Sequence, residues 1–219
     1  MSKNQQHPGY FALILAAGSS TRMGSDKALL PWGDHQTLLS FQIRQWLNVG
    51  VTPIVIAGSH TQISVFEPHC LGQKILLNPH PEMGKISSLR IGLQGIPRDF
   101  QVLAISAIDQ PRPDWVYQKL LSKHLDYTSG KGLDPDYLIT APSHHRKLGH
   151  PLFFYPQIYP SLLAIQESSQ GLRAIIQRFY SQIQQIEMGS PIIFVDLNTP
   201  FDYQAQRENS IWVEGCAEE

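Results

Sequence analysis

The chain has 219 residues, of which 16 % are charged, and its formal net charge at pH 7 is −1. This length favours one domain with a sizeable core, and the near-neutral charge excludes a global electrostatic field that would recruit nucleic acid or a membrane surface. We expect a cytoplasmic protein, because we find neither a signal peptide nor an apolar run of membrane-spanning length.

The sequence predicts a single folding unit with short polar ends. Residues 1–9 and 209–219 are predicted to be a flexible N-terminus and a C-terminal tail. Residues 10–208 then form one domain, in which we find no internal repeat and no long linker. The two cysteines, Cys70 and Cys216, match no metal-binding spacing.

The first predicted element is an apolar strand, Tyr10–Leu15, followed by a run of small residues. That run comprises Ala16, Ala17, Gly18, Ser19 and Ser20. Small side chains let a ligand approach the backbone, and two cations, Arg22 and Lys27, follow. Exposed N–H groups and fixed positive charges suit a polyphosphate, although the spacing is neither that of a P-loop nor that of a dinucleotide-binding loop. The alternative is a glycine-rich turn with two solvated cations.

Strands and helices then alternate along the chain. A helix is predicted from a Thr37 cap to about residue 49, a strand over residues 51–57, a short helix near residues 60–66 and a strand over residues 74–77. This alternation predicts an α/β fold, in which helices cover both faces of a mostly parallel, Rossmann-like sheet as three layers.

A second informative loop leads into a helix that begins near Ser87 and ends at Gly95. Ser87 and Ser88 can simply cap that helix. They can also take part in a ligand site, since ligands bind at the carboxyl ends of parallel strands in open α/β sheets.

A further strand over residues 101–107 delivers Asp109 to the same edge of the sheet. An aspartate directly after an apolar strand is costly to bury without a partner, and a hard divalent cation such as Mg²⁺ would satisfy it. The alternative is a turn aspartate shortly before Pro111.

The second half of the chain carries weaker patterns. The histidines His144, His145 and His150 do not have a usual zinc spacing, and residues 144–147 are predicted to be a solvated hairpin or loop tip. The remaining predicted elements are helices from residue 112 to about 124, over 160–165, over 171–180 and from 200, and strands over 137–141, 152–155 and 192–197.

Several motifs, in order along the chain, resemble those of a known family. The segment LAAGSSTRMGSDKALLPW, which starts at Leu15, resembles the LAAGxSxRMGxxKxLLP signature of the MobA/MocA-like nucleotidyltransferases. The resemblance extends to NPxxxxGxxSSLRxG from Asn78, to DQP at Asp109, to GHP at Gly149 and to DLNTPFD from Asp196. It covers nearly the whole chain and implies the fold of the nucleotide-diphospho-sugar transferases.

In that family, a nucleoside triphosphate donates its nucleoside monophosphate to an acceptor, and the best-known acceptor is the phosphate of the molybdopterin cofactor. The resemblance implies that Arg22, Lys27 and the backbone of the small-residue loop hold the phosphates, and that Asp109 and Asp196 hold Mg²⁺. It assigns nucleotide contacts to Pro79, Gly84, Ser87, Ser88 and Arg90, and a place on the acceptor side to His150.

The motifs specify the acceptor and the nucleotide base less closely than they specify the phosphate and metal residues. Family members that handle molybdopterin tend to have GDxGxR where this chain has Ser168-Ser169, Gly171 and Arg173. Arg173 can bind the acceptor phosphate or be a helical surface charge. The LAAG form of the first motif, with Ala17 rather than glycine, is usual in cytidylyltransferases of the family and favours CTP over GTP.

The predicted function is therefore an Mg²⁺-dependent transfer of CMP, in preference to GMP, to molybdopterin or the molybdenum cofactor, with release of pyrophosphate. The expected partners are these small molecules and a molybdoenzyme that receives the product. Two alternatives stay open. One is an enzyme of the same fold that activates a sugar phosphate or an alditol phosphate, and the other is a non-catalytic protein that binds nucleotide or delivers the molybdenum cofactor.

Overall fold

The computed structural model describes residues 6–18, 23–33, 37–128, 136–166, 171–207, 209 and 212. Its strands are β1 (Tyr10–Leu15), β2 (Thr52–Ala57), β3 (Ile75–Leu77), β4 (Val102–Ala107), β5 (Ile139–His144), β6 (Lys147–Leu148), β7 (Leu152–Phe154) and β8 (Ile183–Glu187). Its α-helices are α1 (Leu38–Asn48), α2 (His60–Phe66), α3 (Lys85–Gln94), α4 (Asp114–Thr128), α5 (Tyr159–Leu163), α6 (Leu172–Arg178) and α7 (Pro200–Arg207). None of the helices that the structure describes combines the length and the apolar character needed to span a bilayer.

The strands form a mixed sheet in the order β3-β2-β1-β4-β7-β5-β6, with β8 paired to β5. Strands β1 to β4 run parallel, whereas β7 runs antiparallel to both β4 and β5. Leu15 lies opposite Ala107, so the chain leaves β1 and β4 side by side at one edge of the sheet. Leu152, the first residue of β7, lies opposite Ile105, so the segment before β7 reaches that same edge.

Apolar side chains pack on both faces of the sheet as two clusters. One cluster joins the sheet to α1 and α4 and contains the stacked rings of Trp46 and Tyr117, whose centroids are 3.7 Å apart. The other joins the sheet to α3, α5 and α6 through residues such as Leu89, Leu162 and Ile175. Residues of β1 alternate between the clusters, because successive side chains of a strand point to opposite faces. This arrangement confirms the predicted three-layer α/β fold.

Residues near both ends of the chain contact the domain. The ring of His7 stacks on Tyr10 with a centroid distance of 3.8 Å. Trp212 is 2 % exposed and packs edge-on against Trp32, with ring centroids 5.1 Å apart. Both residues belong to the predicted flexible N-terminus and C-terminal tail, much of which lies outside the described residues. These contacts place His7 and Trp212 with the packed domain.

The prediction of a strand over residues 192–197 is wrong. Pro191–Phe194 forms a 3-10 helix, and residues 195–199 follow without helix or strand. Ile192 and Ile193 are buried without joining the sheet, and a short apolar run does not by itself separate a strand from another buried segment. The strand of this region is β8, whose sequence IQQIE lacks the alternation that would mark it.

Two local predictions are confirmed. The helix near residues 60–66 is α2. The hairpin tip at residues 144–147 joins β5 to β6, which pair antiparallel with Ser143 opposite Leu148. His145 and Arg146 occupy the turn with φ angles of 49° and 65°.

Candidate active site

A pocket of about 560 Å³ opens at the edge of the sheet where β1 and β4 end. The backbone N of Ile108 donates to the carbonyl O of Leu15 (3.1 Å) and holds the two strand ends together. The pocket is lined by Leu15, Ala17, Gly18, Lys27, Pro81, Glu82, Gly84, Lys85, Ser88, Ala107, Ile108, Asp109 and Asn198. This is the edge at which ligands bind in open α/β sheets.

Lys27 and Asp109 form an ion pair in this pocket. Lys27 begins a short 3-10 helix, Lys27–Leu29, which the Asp26 carboxylate caps by accepting a 3.0 Å bond from the backbone N of Ala28. The capped turn holds the lysine, which is only 7 % exposed, so that Nζ donates to Asp109 Oδ2 at 3.1 Å. The structure thus brings together two residues that the sequence predicts for the phosphate and metal site.

Asp196, the second predicted metal ligand, lies beside the Asp109 loop. The backbone N of Leu197 donates to the carbonyl O of Asp109 (2.8 Å) and ties the two segments together. Burial and the negative charge of Asp109 raise the pKa of Asp196, although a hydrogen bond from the Asn198 side chain lowers it. Asp196 Oδ1 is buried and has no hydrogen-bond partner among the described residues.

These two carboxylates fit a divalent cation. A buried carboxylate oxygen without a donor needs a compensating positive charge, and Mg²⁺ is a hard cation that one or two carboxylates hold together with substrate phosphates. Asp109 and Asp196 are the residues that would hold it. No group of three or more His, Cys, Asp or Glu side chains in the described part of the chain could hold a metal ion, so substrate and water would complete the ligand set.

A buried arginine, predicted from the sequence only as part of a helix start, fixes the loops around these carboxylates. Arg112 is 1 % exposed, and burial lowers its pKa to about 10, so it stays charged at neutral pH. Its guanidinium donates to four backbone carbonyl oxygens, which belong to Pro111, His150 (3.1 Å), Ile193 (2.7 Å) and Val195 (2.8 Å). Arg112 therefore joins the Asp109 loop, the segment before β7 and the Asp196 segment.

The loop that leads into α3 is organised by Asn78. Its buried side-chain Nδ2 donates to Ser87 Oγ (2.8 Å) and to Ser88 Oγ (2.9 Å). Ser87 Oγ donates to the carbonyl oxygens of Gly84 (2.8 Å) and His80 (3.0 Å) and so closes the loop. Ser88 instead lines the pocket. Of the two predicted serines, one holds the loop and the other faces the space for a ligand.

Pro79 and Arg90, also predicted to contact the nucleotide, lie outside the pocket lining. Arg90 Nη2 donates to the carbonyl O of Ile165 (2.9 Å). Residues two apart on a helix face different directions, so Arg90 does not share the pocket-facing side of α3 with Ser88. Pro79 is exposed, and Pro81 lines the pocket in its place.

The small residues after β1 border the same pocket. Ala17 and Gly18 belong to its lining, whereas Ala16 is 1 % exposed and packs in the core. A Cβ on Gly18 would meet no atom of the described residues within 4 Å, so among these residues the space beside Gly18 is open. Gly84, another residue of the pocket lining, has a φ of 88°, a conformation that favours glycine. The other predicted contacts of this region lie outside the described residues: Ser19, Ser20 and Arg22.

His150, predicted for the acceptor side, is held close to the carboxylate loops. Its backbone N donates to the carbonyl O of Ile193 (3.2 Å). The preceding Gly149 permits this approach, because a Cβ there would lie 2.7 Å from the same carbonyl O. Burial, together with the positive charges of Arg112 and Lys85, lowers the pKa of His150 to about 4. The imidazole is therefore neutral at physiological pH.

Arg173, the other predicted acceptor residue, lies on α6 beside the start of α3. A Cβ on Gly171 would be 3.3 Å from Ile86 Cδ1, which shows how closely the two helix starts approach. The Arg173 side chain is exposed, and this position suits both of its predicted roles, an acceptor contact and a surface charge. Ser168 and Ser169, the departure from the family motif, lie outside the described residues.

Lys85 and Arg112 are site residues that the sequence did not mark for function. Lys85 directly follows Gly84 in the NPxxxxGxxSSLRxG motif, at the start of a helix. A cation at that position is the sequence feature that could have marked Lys85 as a site residue. Arg112 stands between two prolines, Pro111 and Pro113, directly after the DQP motif. Neither feature indicates a function until the structure shows that the loop before α3, the Asp109 loop and the Asp196 segment lie close together.

Comparison with known proteins agrees with this fold. A family model described as MobA-like NTP transferase domain matches residues 12–185. A curated molybdenum cofactor guanylyltransferase from Xanthomonas euvesicatoria pv. vesicatoria (strain 85-10) is 28 % identical over 204 residues, which cover 86 % of this chain and 89 % of that protein.

Solved structures share the fold at low sequence identity. Rv0371c from Mycobacterium tuberculosis H37Rv is 20 % identical with a TM-score of 0.73, covering 95 % of this chain and 100 % of that chain. Its complex with manganese is 18 % identical with a TM-score of 0.68, covering 94 % and 99 %. A nucleotidyl transferase from Methanothermobacter thermautotroptrophicus, Mth528, is 19 % identical with a TM-score of 0.71, covering 90 % and 95 %. Since the family match spans most of the chain, the chain belongs to the family of MobA-like NTP transferases.

Proposed function

We propose that this nucleotidyltransferase moves CMP from CTP to the phosphate of the molybdopterin cofactor, in an Mg²⁺-dependent reaction that releases pyrophosphate. The observation that carries the proposal is the ion pair of Lys27 and Asp109 in the pocket that Gly18 also lines, with the Asp196 segment bonded to the Asp109 loop through the backbone of Leu197. A lysine, two carboxylates and a loop of small residues supply the charge and the positioning that a triphosphate requires.

In the proposed reaction, a phosphate oxygen of the acceptor attacks the α-phosphorus of the nucleoside triphosphate. A bond forms between that oxygen and the α-phosphorus, and the bond from the α-phosphorus to the bridging oxygen breaks. The bridging oxygen keeps the electron pair and leaves as part of pyrophosphate. No general base is required, because a phosphate acceptor is already anionic near neutral pH.

The residues of this chain act on charge and position. Lys27 stabilises negative charge on the phosphates of the nucleotide, and Ser88 and the backbone near Gly18 orient the nucleotide. Mg²⁺ bound at Asp109 and Asp196 would polarise the α-phosphate and neutralise part of the triphosphate charge. The solved manganese complex of Rv0371c supports a divalent cation in a relative with this fold.

Ala17 supports CTP as the donor. Its methyl group lines the pocket together with Leu15 and Gly18, where it would limit the space beside a purine. GTP is the second candidate, because the matched relative from Xanthomonas is named a guanylyltransferase. We expect a higher kcat/KM with CTP than with GTP, and we expect Ala17→Gly to raise kcat/KM for GTP relative to CTP. A wild type that prefers GTP would contradict the choice of CTP and leave the transfer reaction intact.

The name of the same relative also supports molybdopterin as the acceptor. The direct test measures pyrophosphate release from CTP or GTP with Mg²⁺ and molybdopterin, with EDTA as the control that removes the metal. Sugar phosphates and alditol phosphates run in parallel, and release with those compounds alone would replace molybdopterin as the acceptor. If molybdopterin is confirmed, we propose a molybdoenzyme as the protein that receives the product.

A further inference from the structure

A second lysine, Lys85, reaches the pocket from the other side of the sheet. Lys85 is the first residue of α3, which packs in the cluster on one face through Ile86 and Leu89. The turn that carries Lys27 packs in the cluster on the opposite face through Ala28. Both lysines line the pocket, so they approach the space for a ligand from two directions.

The two lysines have different partners. Lys27 is bonded to Asp109 and is largely buried, whereas Lys85 is exposed. Within the described ranges, the structure shows no hydrogen bond or ion pair for Lys85. An exposed ammonium that faces a pocket without an anionic partner has its donors available to a ligand.

Lys85 stands at the end of α3 that approaches α6, which carries the predicted acceptor residue Arg173. A Cβ on Gly171, directly before α6, would be 3.3 Å from Ile86 Cδ1, and Ile86 directly follows Lys85. The charge of Lys85 also lowers the pKa of His150, after the larger effects of burial and of Arg112. The pocket therefore has one lysine bonded to Asp109 and a second lysine toward the predicted acceptor side.

We propose that Lys85 binds the phosphate group of the acceptor, while Lys27 serves the phosphates of the nucleotide. This inference rests on the proposed function, because that function requires a phosphate-bearing acceptor. Attack on the α-phosphorus brings two anions together, and like charges at contact distance repel each other. A lysine beside the incoming phosphate reduces that repulsion. No proton changes place in this step.

The test compares wild type with Lys85→Met, Lys85→Arg and the control Lys123→Met. Lys123 is an exposed lysine on α4 that pairs with Asp126 at 3.0 Å, so its loss removes one surface charge away from the pocket lining. Inorganic phosphate is titrated by calorimetry into protein saturated with Mg²⁺ and the non-hydrolysable analogue α,β-methylene-CTP. Because the analogue fills the nucleotide site, the heat of phosphate binding reports on the acceptor site.

We expect Lys85→Met to weaken phosphate binding by about tenfold or more, because a charge-assisted hydrogen bond is lost. Lys85→Arg should retain most of the affinity, since it keeps the charge, and Lys123→Met should match wild type. The affinity for the CTP analogue should be unchanged in every variant. In turnover, Lys85→Met should raise KM for the acceptor and leave KM for CTP unchanged.

Equal phosphate affinity in wild type and Lys85→Met would overturn the proposal, as would a wild type that binds no phosphate. A Lys85→Met variant that loses affinity for the CTP analogue would place Lys85 with the nucleotide and overturn it too. If wild type binds neither CTP nor GTP analogues, the proposed function fails separately. In that case, phosphate is titrated into the protein with Mg²⁺ alone. A lower phosphate affinity in Lys85→Met than in wild type supports anion binding by Lys85, and equal affinities refute it.

Discussion

The carboxylates of Asp109 and Asp196 differ in how their charge is balanced. Asp109 accepts a 3.1 Å bond from Lys27, whereas Asp196 carries a buried oxygen without a partner among the described residues and a pKa that burial raises. A bound cation would therefore stabilise the structure more at Asp196 than at Asp109. On the proposed function, Lys27 at Asp109 would interact with the phosphates of the nucleotide.

Removing either carboxylate should abolish most of the activity. We expect Asp109→Asn and Asp196→Asn each to lower kcat/KM by on the order of a hundredfold or more, as does the loss of a preorganised electrostatic group in other enzymes. The measurement is the rate of pyrophosphate release at saturating Mg²⁺. Asp114→Asn is the matched control, because Asp114 bonds Asn48 outside the pocket lining. A loss of only a few fold in both variants would contradict the assignment.

The adjacent serines of α3 provide a pair that separates binding from stability. Ser87→Ala removes the hydroxyl that holds the carbonyls of His80 and Gly84, so we expect about 1 kcal/mol less unfolding free energy. Ser88→Ala removes a pocket-lining hydroxyl that accepts one bond from Asn78, so we expect a higher KM for the nucleotide and a smaller loss of unfolding free energy than in Ser87→Ala. Denaturant unfolding and steady-state kinetics on both variants make the comparison. The reverse pattern would show that Ser87, and not Ser88, contacts the nucleotide.

At the level of the elements, three chain segments far apart in sequence form the site, and Arg112 connects them. Its N–H groups donate to the carbonyl oxygen of His150 before β7 and to that of Pro111 shortly after Asp109. They also donate to the carbonyl oxygens of Ile193 and Val195, which precede Asp196. Because all four partners are backbone carbonyls, the guanidinium holds backbone, and its charge also interacts with Asp196 and Asp109 without a hydrogen bond to either. We infer that the relative position of the two proposed metal ligands depends on this side chain.

Arg112→Met should therefore affect both stability and activity. Several buried carbonyls would lose their donor, at about 1–3 kcal/mol each, and we expect a lower Tm together with a lower kcat. Arg112→Lys keeps the charge but loses the branched geometry, so it should recover only part of both. Thermal unfolding and pyrophosphate release measure the two effects. A variant with wild-type Tm and reduced kcat would show instead that Arg112 acts on the substrate directly.

The sequence predicts those parts of the site that depend on one segment at a time. Lys27 and Asp109 stand at fixed places in motifs next to clear strands, so their position follows from local pattern. Arg112 acts through hydrogen bonds to distant segments, and Lys85 joins the site because the start of α3 borders the same pocket as Asp109; the sequence displays neither relation. The strand prediction over residues 192–197 is wrong for the same reason, since it depends on contacts between distant segments. Ile192 and Ile193 are apolar because they fill the core and not because they pair in the sheet.

At the scale of the whole molecule, the sheet has a packed core on each face, and one of these cores contains a histidine. His124 is completely buried, bonds Thr140 Oγ1 through Nδ1 (2.8 Å) and stacks on Tyr155 with ring centroids 3.8 Å apart. Its Nε2 has no partner among the described residues. Burial lowers the pKa of His124 to about 3, so the folded protein keeps this ring neutral where the unfolded chain would protonate it.

The unfolding free energy should therefore fall as the solution is acidified. The contribution of His124 is fully present above its ordinary pKa of 6.5 and is lost progressively between pH 6.5 and about 3, at about 1.4 kcal/mol for each pH unit. His124→Phe keeps an aromatic ring but cannot ionise, so its stability should fall less steeply over this range. Denaturant unfolding at several pH values gives the slope, and the difference at pH 8 gives the packing effect alone. Parallel slopes for the two proteins would contradict the expectation.

The reversed direction of β7 has a consequence for how this architecture diversifies. Because β7 runs against β4, the segment that carries His150 arrives at the sheet edge independently of the connections that follow β1 and β4. On the proposed assignment of His150 to the acceptor side, substitutions in that segment would alter which compound is accepted while Lys27 and Asp109 stay in place. A lineage built on this plan would then acquire new acceptors partly by remodelling this connection and keep an inherited transfer reaction.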